Sequence, residues 1–154
     1  MNTIKTLEID SKYQTDPSVN KKHAHLEKLI EEIRKMNITG LDIDYINDLI
    51  VELNQFGGSE KELKKMLIKT KNLILKNLEK QHKIIPKNYH RNRWVGIGML
   101  LYGVSFGVIF STVLDNFAFV GVGLPIGMVL GMAIGANQDN KAKKEGRQLD
   151  IEAS

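Results

Sequence analysis

Residues 94–136 constrain what this chain can fold into more than any other part. They read WVGIGMLLYGVSFGVIFSTVL, then DN, then FAFVGVGLPIGMVLGMAIGA, and carry one formal charge, Asp115. Each apolar arm has about 20 residues, the length of helix that crosses the hydrocarbon core of a bilayer. The expectation is two transmembrane helices, 94–114 and 117–136, joined by a tight turn. A buried hairpin in a soluble protein fits less well, because a chain of 154 residues has too little other apolar surface to cover two such helices. A membrane β-barrel would need a series of alternating strands, and none is present.

Nine of the thirteen glycines lie in this stretch, and they are spaced. Gly123, Gly127, Gly131 and Gly135 recur every fourth residue, as do Gly103, Gly107 and Ser111. Four residues is slightly more than one helical turn of about 3.6, so each series forms a slowly winding stripe. A stripe without side chains lets another helix backbone come close, and such packing drives association in lipid. These seven positions are the expected helix-packing residues, between the two spans or between protomers.

The other 111 residues hold 39 of the 40 charged groups, so the mean hydropathy of −0.22 averages two unlike parts. There is no cysteine, which removes disulfides, thiolate chemistry and attachment of lipid through Cys. The N-terminal residues MNTIKTLEIDSKYQ contain no apolar signal core. Residues 1–59 carry 7 basic and 10 acidic groups, net −3, whereas residues 60–93 carry 11 and 3, net +8. That basic block lacks the interleaved aromatics of a nucleic-acid binder, so no nucleic-acid partner is expected. Anionic lipid headgroups are the simpler partner. Lys83, Lys87, Arg91, Arg93 and Trp94 are the expected membrane-surface residues.

Ahead of the spans the pattern is helical. An N-terminal arm, 1–18, is ambiguous between a short extended segment and disorder. A helical domain, 19–86, follows. Its first helix starts near Asp16-Pro17 or Asn20, buries Leu26, Leu29, Ile30, Ile33 and Met36, and ends at Asn37-Ile38-Thr39-Gly40. A second runs from Asp42 or Asp44 to Phe56 with Ile46, Leu49, Ile50 and Leu53 inward. A third opens at Ser59, where Ser59 and Glu62 spell a capping box, and continues to Pro86. Residues 87–93 read as a basic linker, and 137–154 as a polar tail, a frayed helix extension followed by disorder. The fold class expected is all-α: a small cytosolic helical bundle followed by a two-helix transmembrane hairpin.

Chemistry is sparse. His23 and His25 point to nearly opposite sides of a helix, and His82 and His90 have no partnered ligands in sequence, so exposed histidines are the simpler account. Asp42, Asp44, Asn47 and Asp48 resemble part of a calcium loop but lack its glycine and closing Glu; helix N-terminal charges explain them better. Gly96 and Gly98 form an isolated G-x-G inside an apolar arm. Asp115 beside Asn116 suits a turn at the outer interface. No catalytic arrangement, cofactor site or metal site is expected.

The series G123-x3-G127-x3-G131-x3-G135, paired with G103-x3-G107-x3-S111, resembles the glycine-zipper hairpins of small bacterial two-span membrane proteins. The resemblance covers residues 94–147. It implies close helix packing and no catalytic residue. With basic residues before the first arm and after the second, both termini are expected in the cytosol of a bacterial cell, on the inner membrane. The functional expectation is a non-enzymatic membrane protein that self-associates and presents its helical domain to an unidentified cytosolic protein. An oligomeric pore or membrane-perturbing effector is the alternative.

Overall fold

The computed structural model describes residues 3–10, 13, 16–36, 38 and 40–152, the side chain of Leu41 apart. The chain forms two compact units, Met1–Ile84 and Ile85–Ser154. The architecture is all-α: a helical N-terminal unit, then two long apolar helices forming a hairpin.

The first unit holds α1 (Pro17–Lys35), α2 (Gly40–Asn54) and α3 (Glu60–His82), with α3 packed against both of the others. α1 starts where Pro17 supplies a preset φ and Asp16 caps, its carboxylate accepting from the Ser18 N–H at 2.7 Å. Two residues of the expected α1 stop signal, Asn37 and Thr39, lie outside the described residues. α3 opens at Ser59, whose N–H and hydroxyl both donate to Glu62 Oε2, at 2.9 and 2.7 Å. It stops at His82, not at Pro86. Lys83 turns into the left-handed region, φ 56, and its N–H returns to the Glu79 carbonyl. The core is one apolar face from each helix: Leu26, Leu29, Ile30 and Ile33; Ile46, Ile50 and Leu53; Leu63, Leu67, Ile74 and Leu78. Met36 and Leu49, expected inward, are half-buried at its margin, as is Met66.

Residues 3–10 form neither helix nor strand, and α2 holds them. The Asn47 side chain accepts from Lys5 N–H and donates to the Thr3 carbonyl. Seven residues on, Asn54 does the same for Glu8 N–H and the Thr6 carbonyl. Two amides on one helix face thus satisfy an arm that has no strand partner, and Leu7 from that arm is buried.

The expectation of an exposed His82 changes here. His82 is half-buried, its Nε2 lying 2.6 Å from Asp42 Oδ2, while Asn77 donates to Asp42 Oδ1 at 2.9 Å. Asp42 stands in the first turn of α2, as expected, and in addition ties α2 to α3.

Asp16 also pairs with Lys64 at 2.5 Å, joining the start of α1 to α3. Lys64 and the Ser18 N–H hold its carboxyl below the usual carboxylate range. A depressed pKa contributes stability above the unfolded value and loses it as pH falls through the folded one. Asp16→Ala should lower the thermal midpoint of the full chain at neutral pH, measured by circular dichroism. The gap from the parent should close in acid, once the carboxyl is protonated in the parent too.

Candidate functional site

The second unit begins with β1 (Ile85–Lys87) and ends with β2 (Gln148–Glu152), which pair in parallel. Between them run α4 (Tyr89–Gly98), a π-helical turn (Met99–Gly103), α5 (Val104–Val113), a 3-10 turn (Phe117–Phe119) and α6 (Val120–Lys144). Residues 87–93 are thus not a linker: Lys87 ends a strand, and the first long helix already starts at Tyr89. α6 continues past Ala136 to Lys144, and the tail beyond it forms β2. The tail is ordered because Gly146, φ 69, closes α6: its N–H returns to the Lys143 carbonyl and that of Arg147 to Ala142, which turns Leu149 and Ile151 into buried positions.

Both arms are helices long and apolar enough to cross a membrane, Tyr89–Val113 with 25 residues and Phe117–Lys144 with 28. At about 1.5 Å per residue each exceeds the roughly 30 Å of hydrocarbon. Asp115 sits in the turn between them at φ 48, and Asn116 caps the 3-10 turn by accepting from the Ala118 N–H.

Backbone meets backbone along the hairpin. A Cβ on Gly127 would strike Gly103 Cα at 2.6 Å, and one on Gly135 would strike Arg91 Cα at 2.5 Å. Gly123 abuts Gly103 and Gly107, and Gly131 abuts the carbonyl of Trp94. Gly107 faces the backbone of Val120, and Ser111 is buried. One contributor is new. Gly98 lies 2.7 Å, by the same measure, from Gly131 Cα. It stands five residues before Gly103, a step that would leave the stripe of a regular α-helix. The π turn absorbs the extra residue, with the Val104 N–H bonding to Met99 O. A search for four-residue spacing passes over it.

A second residue missed in the sequence is Asp139. It is the next term of the series 127, 131, 135, and it is buried at 6% exposure. Its two oxygens accept from the His90 and Arg91 N–H groups at 2.9 and 3.0 Å. α4 begins at a left-handed Asn88 that makes no side-chain cap, so α6 supplies the cap instead, with negative charge where the helix dipole favours it. Beside it Trp94 Nε1 donates to Gln138 Oε1 at 3.1 Å.

Of the expected membrane-surface residues, Lys83 closes α3 in the first unit. Lys87 is ion-paired with Asp150, Arg91 and Arg93 are exposed on α4, and Trp94 is half-buried. Among the described residues no three His, Asp or Glu side chains converge as a metal site. His90 instead meets Tyr89 edge to face at 5.3 Å. Comparison with protein-family models, characterised proteins and solved structures finds no match to this chain.

Trp94 is the sole tryptophan and touches the seam, so it reports on it. Gly127→Ala and Gly131→Ala should shift its emission and lower the melting point of the hairpin. Gly96→Ala and Gly121→Ala, which have nothing within 4 Å, should do neither. Separately, Asp139→Ala leaves two donors without a partner, at a cost of about 1–3 kcal/mol. Amide exchange at His90 and Arg91 should accelerate accordingly.

Proposed function

We propose that this chain is a two-pass integral protein of the bacterial inner membrane, with both ends in the cytosol, and that its helical N-terminal unit is a non-enzymatic interaction module. The observation that carries the reading is an inverted packing. The seam between the two long helices is glycine, and the large apolar side chains point outward. Leu100 is 73% exposed, Val113 75% and Phe117 89%. Within the most apolar windows only 22% and 17% is buried, whereas a soluble core helix hides most of its surface. Lipid is the solvent that such an exterior suits.

Orientation rests on charge. Arg91 and Arg93 precede the apolar part of the first arm, and Lys141, Lys143, Lys144 and Arg147 end the second, while the turn carries only Asp115. The bias of Lys and Arg toward the cytosol puts the turn outside. Exposed Arg91 and Arg93 then lie at the level of anionic headgroups.

The side chains favour a sealed anchor over a pore. Ser105 and Thr112 donate to carbonyls of their own helix, Leu101 and Val108, at 2.6 and 2.8 Å, and Ser111 is buried. Glycines fill the space a polar path would need.

The chain has no cysteine, so single substitutions can be labelled cleanly. Cysteines replacing Lys21 and Glu152 should resist a membrane-impermeant maleimide in intact cells, and one replacing Asp115 should react. Labelling of position 21 or 152 from outside would reverse or abolish this topology.

A further inference from the structure

We infer that the α2–α3 face of the N-terminal unit is a two-fold interface with a second copy of this chain. The inference rests on reading that unit as an interaction module.

The hairpin gives no surface for this role, because its glycine stripes are occupied within the chain. The first unit offers another. Between α2 and α3 lies an open groove of about 370 Å³ floored by Leu49, Phe56, Met66 and Leu73. Its two walls differ in sign. Glu52 of α2 lines the groove, and Asp48 precedes it by one helical turn on α2; both are exposed. α3 carries exposed Lys65 and Lys69 along the same groove, with Lys76 continuing the row and Ile68, 41% exposed, among them. Glu62, the acid on the α3 wall, is engaged by Ser59. Among the described residues no ion pair within 4 Å joins Asp48 or Glu52 to Lys65 or Lys69. Lys65 acts on Glu62 within α3, while these exposed acids of α2 and these exposed lysines of α3 make no ion pair with each other.

A two-fold axis running along the groove sets each acidic wall opposite the partner's basic wall, twice over. It also closes the apolar floor against its own copy. That is the self-complementarity an isologous dimer requires. An anionic bilayer fits less well: it would attract the lysines and press Asp48 and Glu52 against like charge. Anchoring in one membrane raises the effective concentration of the two copies.

The test uses full-length chains labelled at Glu152→Cys with donor or acceptor dye and reconstituted in neutral lipid. Energy transfer should fall about tenfold in Asp48→Lys/Glu52→Lys and in Lys65→Glu/Lys69→Glu, because like charges then meet across the interface. Mixing one variant with the other should restore transfer, since each acidic wall again meets a basic one. Restoration also shows that both variants fold. Transfer unchanged in either variant overturns the proposal, and so does a mixed pair no better than each variant alone. Transfer that needs anionic lipid and is lost only with the lysines would make the bilayer the occupant and overturns it as well. Alkaline carbonate extraction of the same samples reports on membrane integration separately. A chain released by carbonate would sink the membrane reading and leave the dimer result standing.

Discussion

The second unit depends on two helix backbones approaching so closely that no side chain fits between them. From Gly135 against Arg91 to Gly107 against Val120, the contact is main chain on main chain. A gap of about 0.5–1 Å already forfeits a quarter to a half of the dispersion attraction, so an interface of this kind is sensitive to small separations. One methyl group inserted at the centre separates the helices along more than its own turn. The π turn is the adjustment that keeps this contact continuous. Without it, Gly98 would rotate off the seam and a bulkier neighbour would take its place.

Main-chain packing holds the middle of the hairpin but cannot finish its ends. Glycines offer no polar side chain, whereas the start of α4 exposes N–H groups that need acceptors. The closing devices therefore change in kind. At one end Asp139, the Trp94–Gln138 bond and the β1–β2 ladder take over. At the other, Asp115 and Asn116 make a turn from residues that tolerate left-handed backbone. The first unit uses ordinary means: three apolar helix faces, with polar ties at Asp16–Lys64 and Asp42–His82.

The helices, their apolar faces and the hairpin were legible because each writes a local periodic signal. α1 announces itself through Asp16-Pro17, and α3 through Ser59 and Glu62. What escaped depends on partners distant in sequence. The arm at 3–10 is held by Asn47 and Asn54, more than 40 residues away, and neither asparagine signals its role. Lys83 ends α3 before Pro86 because a non-glycine residue takes a left-handed turn that composition does not disclose. β2 looked like a polar tail because Leu149 and Ile151 are only two apolar residues among charges. Asp139 could have been found by extending the four-residue series one term beyond the glycines; Gly98 could not, since it needs a helix that is locally not α.

Asp139 lies 49 residues downstream of the N–H group of His90 that it caps. During synthesis the chain emerges from its N-terminus. The first arm therefore leaves the ribosome before its own helix start can be completed. Until α6 is made, the N–H groups of His90 and Arg91 lack the carboxylate that caps them in the folded chain. The order of synthesis and the completion of the first long helix are thus linked through one side chain.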